Sequence, residues 1–133
     1  MFMTRVRKLQ QDAKGSTAVE FAFIAPLLLM MLAGMAQFGM GYFVRNHMQD
    51  VARETSRQFA IGALNEAQAE SYAQSSLLNL GINYTVDVVP PVGGSEDVTT
   101  SISAPMAEVT PFDFLAMFQN GTMQVAVTMR TET

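Results

Sequence analysis

The chain contains no cysteine, so it can form neither a disulfide framework nor a thiolate metal site. Charged residues are also scarce, at 15% of the chain, against about 25% in an ordinary soluble domain. Hydrophobic residues make up 49% of the 133 positions. The length suffices for one small domain, and the shortage of charge indicates that part of the chain lies in lipid.

The few charges are unevenly placed. Residues 1–15 contain four basic residues and one acidic residue, a net charge of +3, whereas residues 16–133 contain four basic and eleven acidic residues, a net charge of −7. The total of −4 argues against nucleic acid as a partner. A short basic segment ahead of an apolar run sets orientation by the positive-inside rule. We therefore expect a cytoplasmic N-terminus, with the acidic remainder beyond the membrane.

One long apolar run dominates the N-terminal half. Residues 21–44 contain no charge, and as a helix they would be about 36 Å long at 1.5 Å per residue. This exceeds the hydrocarbon thickness of about 30 Å. An apolar stripe continues at helical spacing beyond the run, through Met48, Val51, Ala52, Thr55 and Phe59. The pattern predicts one helix over 16–62 that spans a membrane at about 21–44, continues outside it and stops at Gly62.

The remaining residues, 63–133, predict a small extracytoplasmic αβ domain. Asn65 and Gln68 have the spacing of a capping box, which begins a second helix that Gly81 would end. Period-two alternation then predicts about three antiparallel strands, around residues 82–88, 98–102 and 123–129. A short helix over 111–118, with Pro111 at its first position, is expected before the last strand. The predicted class is α+β.

The most informative residues lie where the basic segment meets the apolar run: Gly15, Ser16, Glu20 and Phe21. A carboxylate at the edge of the hydrocarbon is costly and usually has a partner. A cut after Gly15 would create an ammonium group at Ser16, one helical turn from Glu20 and on the same face. The two groups could then neutralise each other, within one chain or between neighbouring chains.

This pattern resembles the type IV prepilin signal, in which a short basic leader, glycine, four residues and glutamate precede an apolar run. The resemblance implies that residues 1–15 are a leader removed by a membrane prepilin peptidase between Gly15 and Ser16. It implies a role for Glu20 in assembly registry. The aromatic residue after the glutamate, Phe21, is similar to the Flp-type branch.

The stretch GSTAVEFAFIAPLLLMMLAGMAQFG also resembles the TadE-like family. Looser similarities are the segment from Val51 to Arg57 and the terminal stretch from Val125 to Arg130. The resemblance implies a minor pilin or pseudopilin of the tight-adherence (Tad) pilus, used in adherence. Implied partners are the prepilin peptidase, other Tad pilins, the assembly platform and membrane lipid. The implied location is the bacterial inner membrane, with the C-terminal domain in the periplasm. The resemblance also allows incorporation into the extracellular pilus.

No acid pair, nucleophile–base set or phosphate-binding loop stands out, so we expect a non-enzymatic protein without a cofactor or a metal. The single histidine, His47, follows the apolar run and is expected to be interfacial or solvated. Asp50 and Glu54 lie beside Arg53 and Arg57, which predicts a solvated ion-pair face.

Two other interpretations stay open. The chain could be a permanently anchored, unprocessed membrane protein whose outer domain is a scaffold or binding module. Alternatively, the apolar run could be a signal peptide cut near Ala36, although it is longer than the usual apolar region of 7–15 residues. The size of the mature chain separates these interpretations from the pilin.

Overall fold

The computed structural model describes residues 13–110 and 120–131, with side chains from residue 15 onward. The elements in chain order are α1 (Ala13–Ala60), α2 (Glu66–Ser76), β1 (Thr85–Val89), β2 (Asp97–Pro105), α3 (Met106–Val109) and β3 (Thr122–Arg130). The predicted α+β class is confirmed. The short helix before the last strand is α3, whereas the helix predicted over 111–118 lies outside the described residues.

The long helix α1 has 48 described residues, which corresponds to roughly 72 Å at 1.5 Å per residue. It begins at least three residues before Ser16 and runs through Pro26, which cannot donate the usual hydrogen bond to the carbonyl of Ala22. Gly62 ends the helical path in a left-handed conformation at φ 73°, as predicted.

The chain divides into two compact units, residues 1–36 and 37–133. The boundary falls inside α1, between Ala36 and Gln37. The predicted division into leader, long helix and outer domain instead has its boundaries at the ends of predicted elements. That division stays a prediction. Residues 37–133 are called the outer unit below.

The outer unit is built on an antiparallel sheet in the order β1-β2-β3. Alternate residues of the central strand β2 form one buried face, with Val98, Thr100 and Ile102 each fully buried. The second part of α1 contributes Met48 and other apolar side chains to the same core. The sheet is therefore covered by α1 as well as by α2.

Helix α2 begins as predicted and ends earlier. The Asn65 side chain accepts from the Gln68 backbone N–H (2.9 Å), and the Gln68 side chain accepts from the Asn65 backbone N–H (3.1 Å). The prediction that the helix continues to Gly81 is wrong. Leu77 adopts an extended backbone (φ −73°, ψ 145°) and is buried in the core, while Leu80 is half exposed.

Strand β1 begins at Thr85, three residues later than the alternation suggested. Just before it, the Asn83 backbone N–H and side-chain amide donate to the Glu108 carboxylate, at 2.6 and 2.9 Å. Through this contact, the segment just before β1 is held against α3 and does not pair as part of the strand. The contact also lowers the pKa of Glu108, first through the backbone hydrogen bond and then through the side chain.

Candidate functional site at the start of the long helix

The residues of the predicted cleavage site lie on α1 itself. Gly15 and Ser16 are both helical and exposed, and beyond the neighbouring residues and the local helix backbone no described atom lies within 4 Å of a Cβ placed on Gly15. The peptide bond between them is thus open to a large partner from the glycine side.

The side chains of Ser16 and Glu20 meet on one face of α1. The Ser16 hydroxyl donates to Oε1 of Glu20 at 3.2 Å, and both residues are exposed. Residues four apart on a helix are neighbours. An amino group created at residue 16 would therefore begin within one turn of this carboxylate, on the face that the hydroxyl already occupies.

The apolar residues that follow Glu20 are exposed around the whole helix. Phe21 is 66% exposed and Phe23 79% exposed, and no side chain from residue 15 to residue 36 is buried. A helix that is apolar on every side requires apolar surroundings. Among the described residues, α1 is the one helix long and apolar enough to cross a membrane, and its most apolar stretch is not buried.

The small residues Ala18, Ala22 and Ala25 lie on one face of α1, at positions i, i+4 and i+7, and none of them is buried. Small side chains let the backbones of two membrane helices approach closely. This face of α1 is thus suited to contact with another helix.

Comparison with family models identifies the segment that holds these residues. Residues 15–57 match the model for TadE-like protein. This segment of the chain is TadE-like. The match begins at Gly15 and includes Glu20, Phe21 and the arginine-bearing stretch from Val51 to Arg57. The terminal stretch from Val125 to Arg130 lies outside it. Comparison with curated proteins gives no match, and comparison with solved structures gives none either.

The TadE-like segment ends in the predicted ion-pair face. Arg57 donates to both oxygens of Glu54, at 2.6 and 3.0 Å, and Arg53 lies 3.8 Å from Asp50. The hydrogen bonds from Arg57, and then that from Gln58, lower the pKa of Glu54 to about 2. The same contact raises the pKa of Arg57. Both side chains are substantially exposed, so this pair contributes little to stability.

His47, which was expected to be interfacial or solvated, packs against α2. It is half-buried, and its Nε2 lies 3.1 Å from the Ser76 carbonyl oxygen at the end of α2. The side chain thus connects the TadE-like segment to the second helix. Within residues 13–110 and 120–131, no group of three or more histidine, aspartate or glutamate side chains is arranged to hold a metal ion.

The sequence analysis missed Gln37. This residue is 4% exposed although it lies inside the uncharged apolar run. A lone amide in such a run could have been identified from the sequence as a candidate functional residue, because polar groups in spanning segments usually have a partner or a function.

Proposed function

We propose that this protein is a minor pilin or pseudopilin of a Tad pilus. The observation that supports the proposal most strongly is the TadE-like match over residues 15–57, which begins at the glycine of the prepilin-like motif. The exposed, apolar part of α1 that follows Glu20 is the second support, because it suits both a bilayer and the helical core of a filament.

In this proposal, the chain inserts once into the inner membrane with its basic N-terminus in the cytoplasm. A prepilin peptidase cuts between Gly15 and Ser16. The new ammonium group and the Glu20 carboxylate then neutralise each other, within one chain or between neighbouring chains. The outer unit faces the periplasm, where it primes assembly or is displayed on the pilus, and the role is structural rather than enzymatic.

The mature N-terminus tests the processing step. Intact mass and terminal sequencing would be measured on protein from its native host, with and without the prepilin peptidase. We expect a chain beginning at Ser16 that becomes full-length when the peptidase is absent. A chain beginning at Met1 despite active peptidase would favour an unprocessed membrane-anchored scaffold, and loss of about 36 residues would indicate an ordinary signal peptide.

The substitution Glu20→Ala tests the assembly role. We expect normal membrane insertion but loss of the protein from sheared pili, because the amino group at residue 16 would lose its counter-charge in an apolar environment. Glu54→Ala is a matched control, since it removes a carboxylate from the exposed ion-pair face of the same helix. Normal recovery of the Glu20→Ala protein in sheared pili would contradict the role.

A further inference from the structure

The outer unit has a cleft beside the end of the uncharged run of α1. Its volume is about 160 Å³. Residues of α1 form one wall, and two methionines from α3 and β3 form the other. The lining residues include Gln37, Phe38, Tyr42, Arg45, Met106 and Met123. Because residues 21–44 are uncharged and Arg45 is the next residue, the cleft lies where a spanning helix would leave the hydrocarbon.

Gln37 supplies an unused hydrogen-bond donor in this cleft. Its side chain is buried, and its Nε2 has no hydrogen-bond partner among the described residues. A buried amide without a partner is unfavourable, and most buried polar groups in proteins have a hydrogen-bond partner. The NH₂ group requires an acceptor, such as a carbonyl or ester oxygen.

Arg45 supplies a cation at the same cleft. Arg53, Arg57 and Arg130 in the outer unit are each ion-paired with a carboxylate. Arg45 is exposed and has no ion pair within the part of the chain that the structure describes. A guanidinium group binds phosphate oxygens in a bidentate geometry, so an anionic phosphate is the ligand that best fits this position.

We propose that the cleft binds one anionic phospholipid of the leaflet next to the outer unit. Part of an acyl chain lies between Phe38 and the two methionines, the Gln37 amide donates to an ester carbonyl, and Arg45 binds the phosphate. Arg45 lies further along α1 than Gln37 and Phe38, just past the uncharged run, which is the side on which the phosphate of a lipid lies.

A lipid fits the cleft better than a second copy of the chain does. One turn of a helix about 10 Å across occupies roughly 400 Å³, which exceeds the cleft volume of about 160 Å³. A second copy at the same depth would also bring its own Arg45 toward the first, and like charges repel. The proposal requires that α1 spans a membrane, but it requires neither cleavage after Gly15 nor incorporation into a pilus.

Lipid retention by the full-length protein tests this proposal. The protein would be purified in detergent, titrated with phosphatidylglycerol or phosphatidylethanolamine, and examined by native mass spectrometry. We expect one bound phosphatidylglycerol, retained roughly fivefold to tenfold better than phosphatidylethanolamine, because only the first has a net negative charge.

Three variants locate the site. Arg45→Gln should abolish the preference for phosphatidylglycerol, whereas the matched control Arg53→Gln should keep it, because Arg53 is already paired with Asp50. Gln37→Leu should lower the retention of both lipids by a similar factor, since both have ester carbonyls. Circular dichroism would establish that each variant is folded.

Four outcomes would overturn the proposal. They are equal retention of the two lipids by the wild type, equal effects of Arg45→Gln and Arg53→Gln, displacement of the lipid by inorganic phosphate, and a lipid-free dimer that Gln37→Leu dissociates. The third would indicate a free-anion site, and the fourth would indicate that the Gln37 amides of two copies pair with each other.

Discussion

The two parts of α1 have different surfaces. From residue 15 to residue 36 no side chain is buried, and large apolar groups are exposed around the helix. From Gln37 to Ala60 the buried residues form a stripe at three- and four-residue spacing, whose members are Gln37, Val44, Met48, Val51, Ala52, Thr55 and Ser56. Charged side chains lie away from the stripe, as in the ion pairs of Arg53 and Arg57.

This difference shows that one continuous helix can be suited to two environments. A helix that is apolar on all sides is stable in lipid, where its backbone hydrogen bonds are satisfied internally. A helix with one apolar stripe needs a protein partner along that stripe and water on its other side. The stability of the first part therefore depends on apolar surroundings, whereas the stability of the second part depends on its packing against the sheet.

The largest expected effect concerns a core methionine. Met48→Ala should lower the free energy of unfolding of the outer unit by about 2–5 kcal/mol, because Met48 is fully buried beside the sheet. Thermal unfolding of the full chain in detergent, followed by circular dichroism, would measure this. Met31→Ala is the control in the exposed part, with an expected change below about 0.5 kcal/mol. Equal effects would remove the distinction between the two parts.

The second prediction concerns membrane insertion and places a charge in the exposed part of α1. Leu28→Lys should cost about 3 kcal/mol in membrane insertion, because Leu28 lies inside the uncharged run. The fold of the outer unit should be unchanged. A protease-protection assay on membranes would measure insertion, with Asn46→Lys as the control just past the run. Unimpaired insertion of Leu28→Lys would argue against a span that contains Leu28.

A serine in each part gives a smaller contrast. The Ser56 hydroxyl donates to Thr100 Oγ1 at 2.8 Å in the core, and its loss in Ser56→Ala should cost about 1–3 kcal/mol by leaving a buried hydroxyl without its donor. Ser16→Ala removes only an exposed hydrogen bond to Glu20. Its effect on unfolding of the outer unit should be within measurement error. Urea titrations of both variants would test this.

The smallest effect is a dependence on pH. The pKa of Glu54 is lowered from 4.5 to about 2 in the folded chain. Such a carboxylate stabilises the fold above pH 4.5 and loses that contribution as the pH falls toward 2. Glu54→Gln should therefore flatten the acid side of the stability profile slightly, because the pair is exposed and screened. Glu20→Gln should leave the profile of the outer unit unchanged, and a change as large as that of Glu54→Gln would contradict the assignment.

Features that depend on neighbouring residues alone were predictable from the sequence. The capping box of Asn65 and Gln68 and the stop at Gly62 are local, since each involves backbone groups within a few residues. The three strands were recognisable from their alternation, and the stripe through Met48 from its helical spacing. The prepilin-like residues were recognisable because their spacing to the apolar run is itself the signal, and the TadE-like match includes all four of them.

Features that depend on residues distant in sequence were not predictable from the sequence. The early end of α2 depends on the burial of Leu77 in a core that α1 and the sheet complete. The late start of β1 depends on Glu108, which is 25 residues away from Asn83 in sequence.

The sequence by itself determined that the chain has one uncharged helix able to span a membrane, a glycine–glutamate motif at its start and an α+β unit after it. Only the tertiary structure decided where that helix changes from an exposed apolar surface to a packed stripe. Apolar composition is the same whether a side chain meets lipid or a protein core, so the sequence placed the end of the span at residue 44. The packing of the outer unit begins earlier, at the buried amide of Gln37.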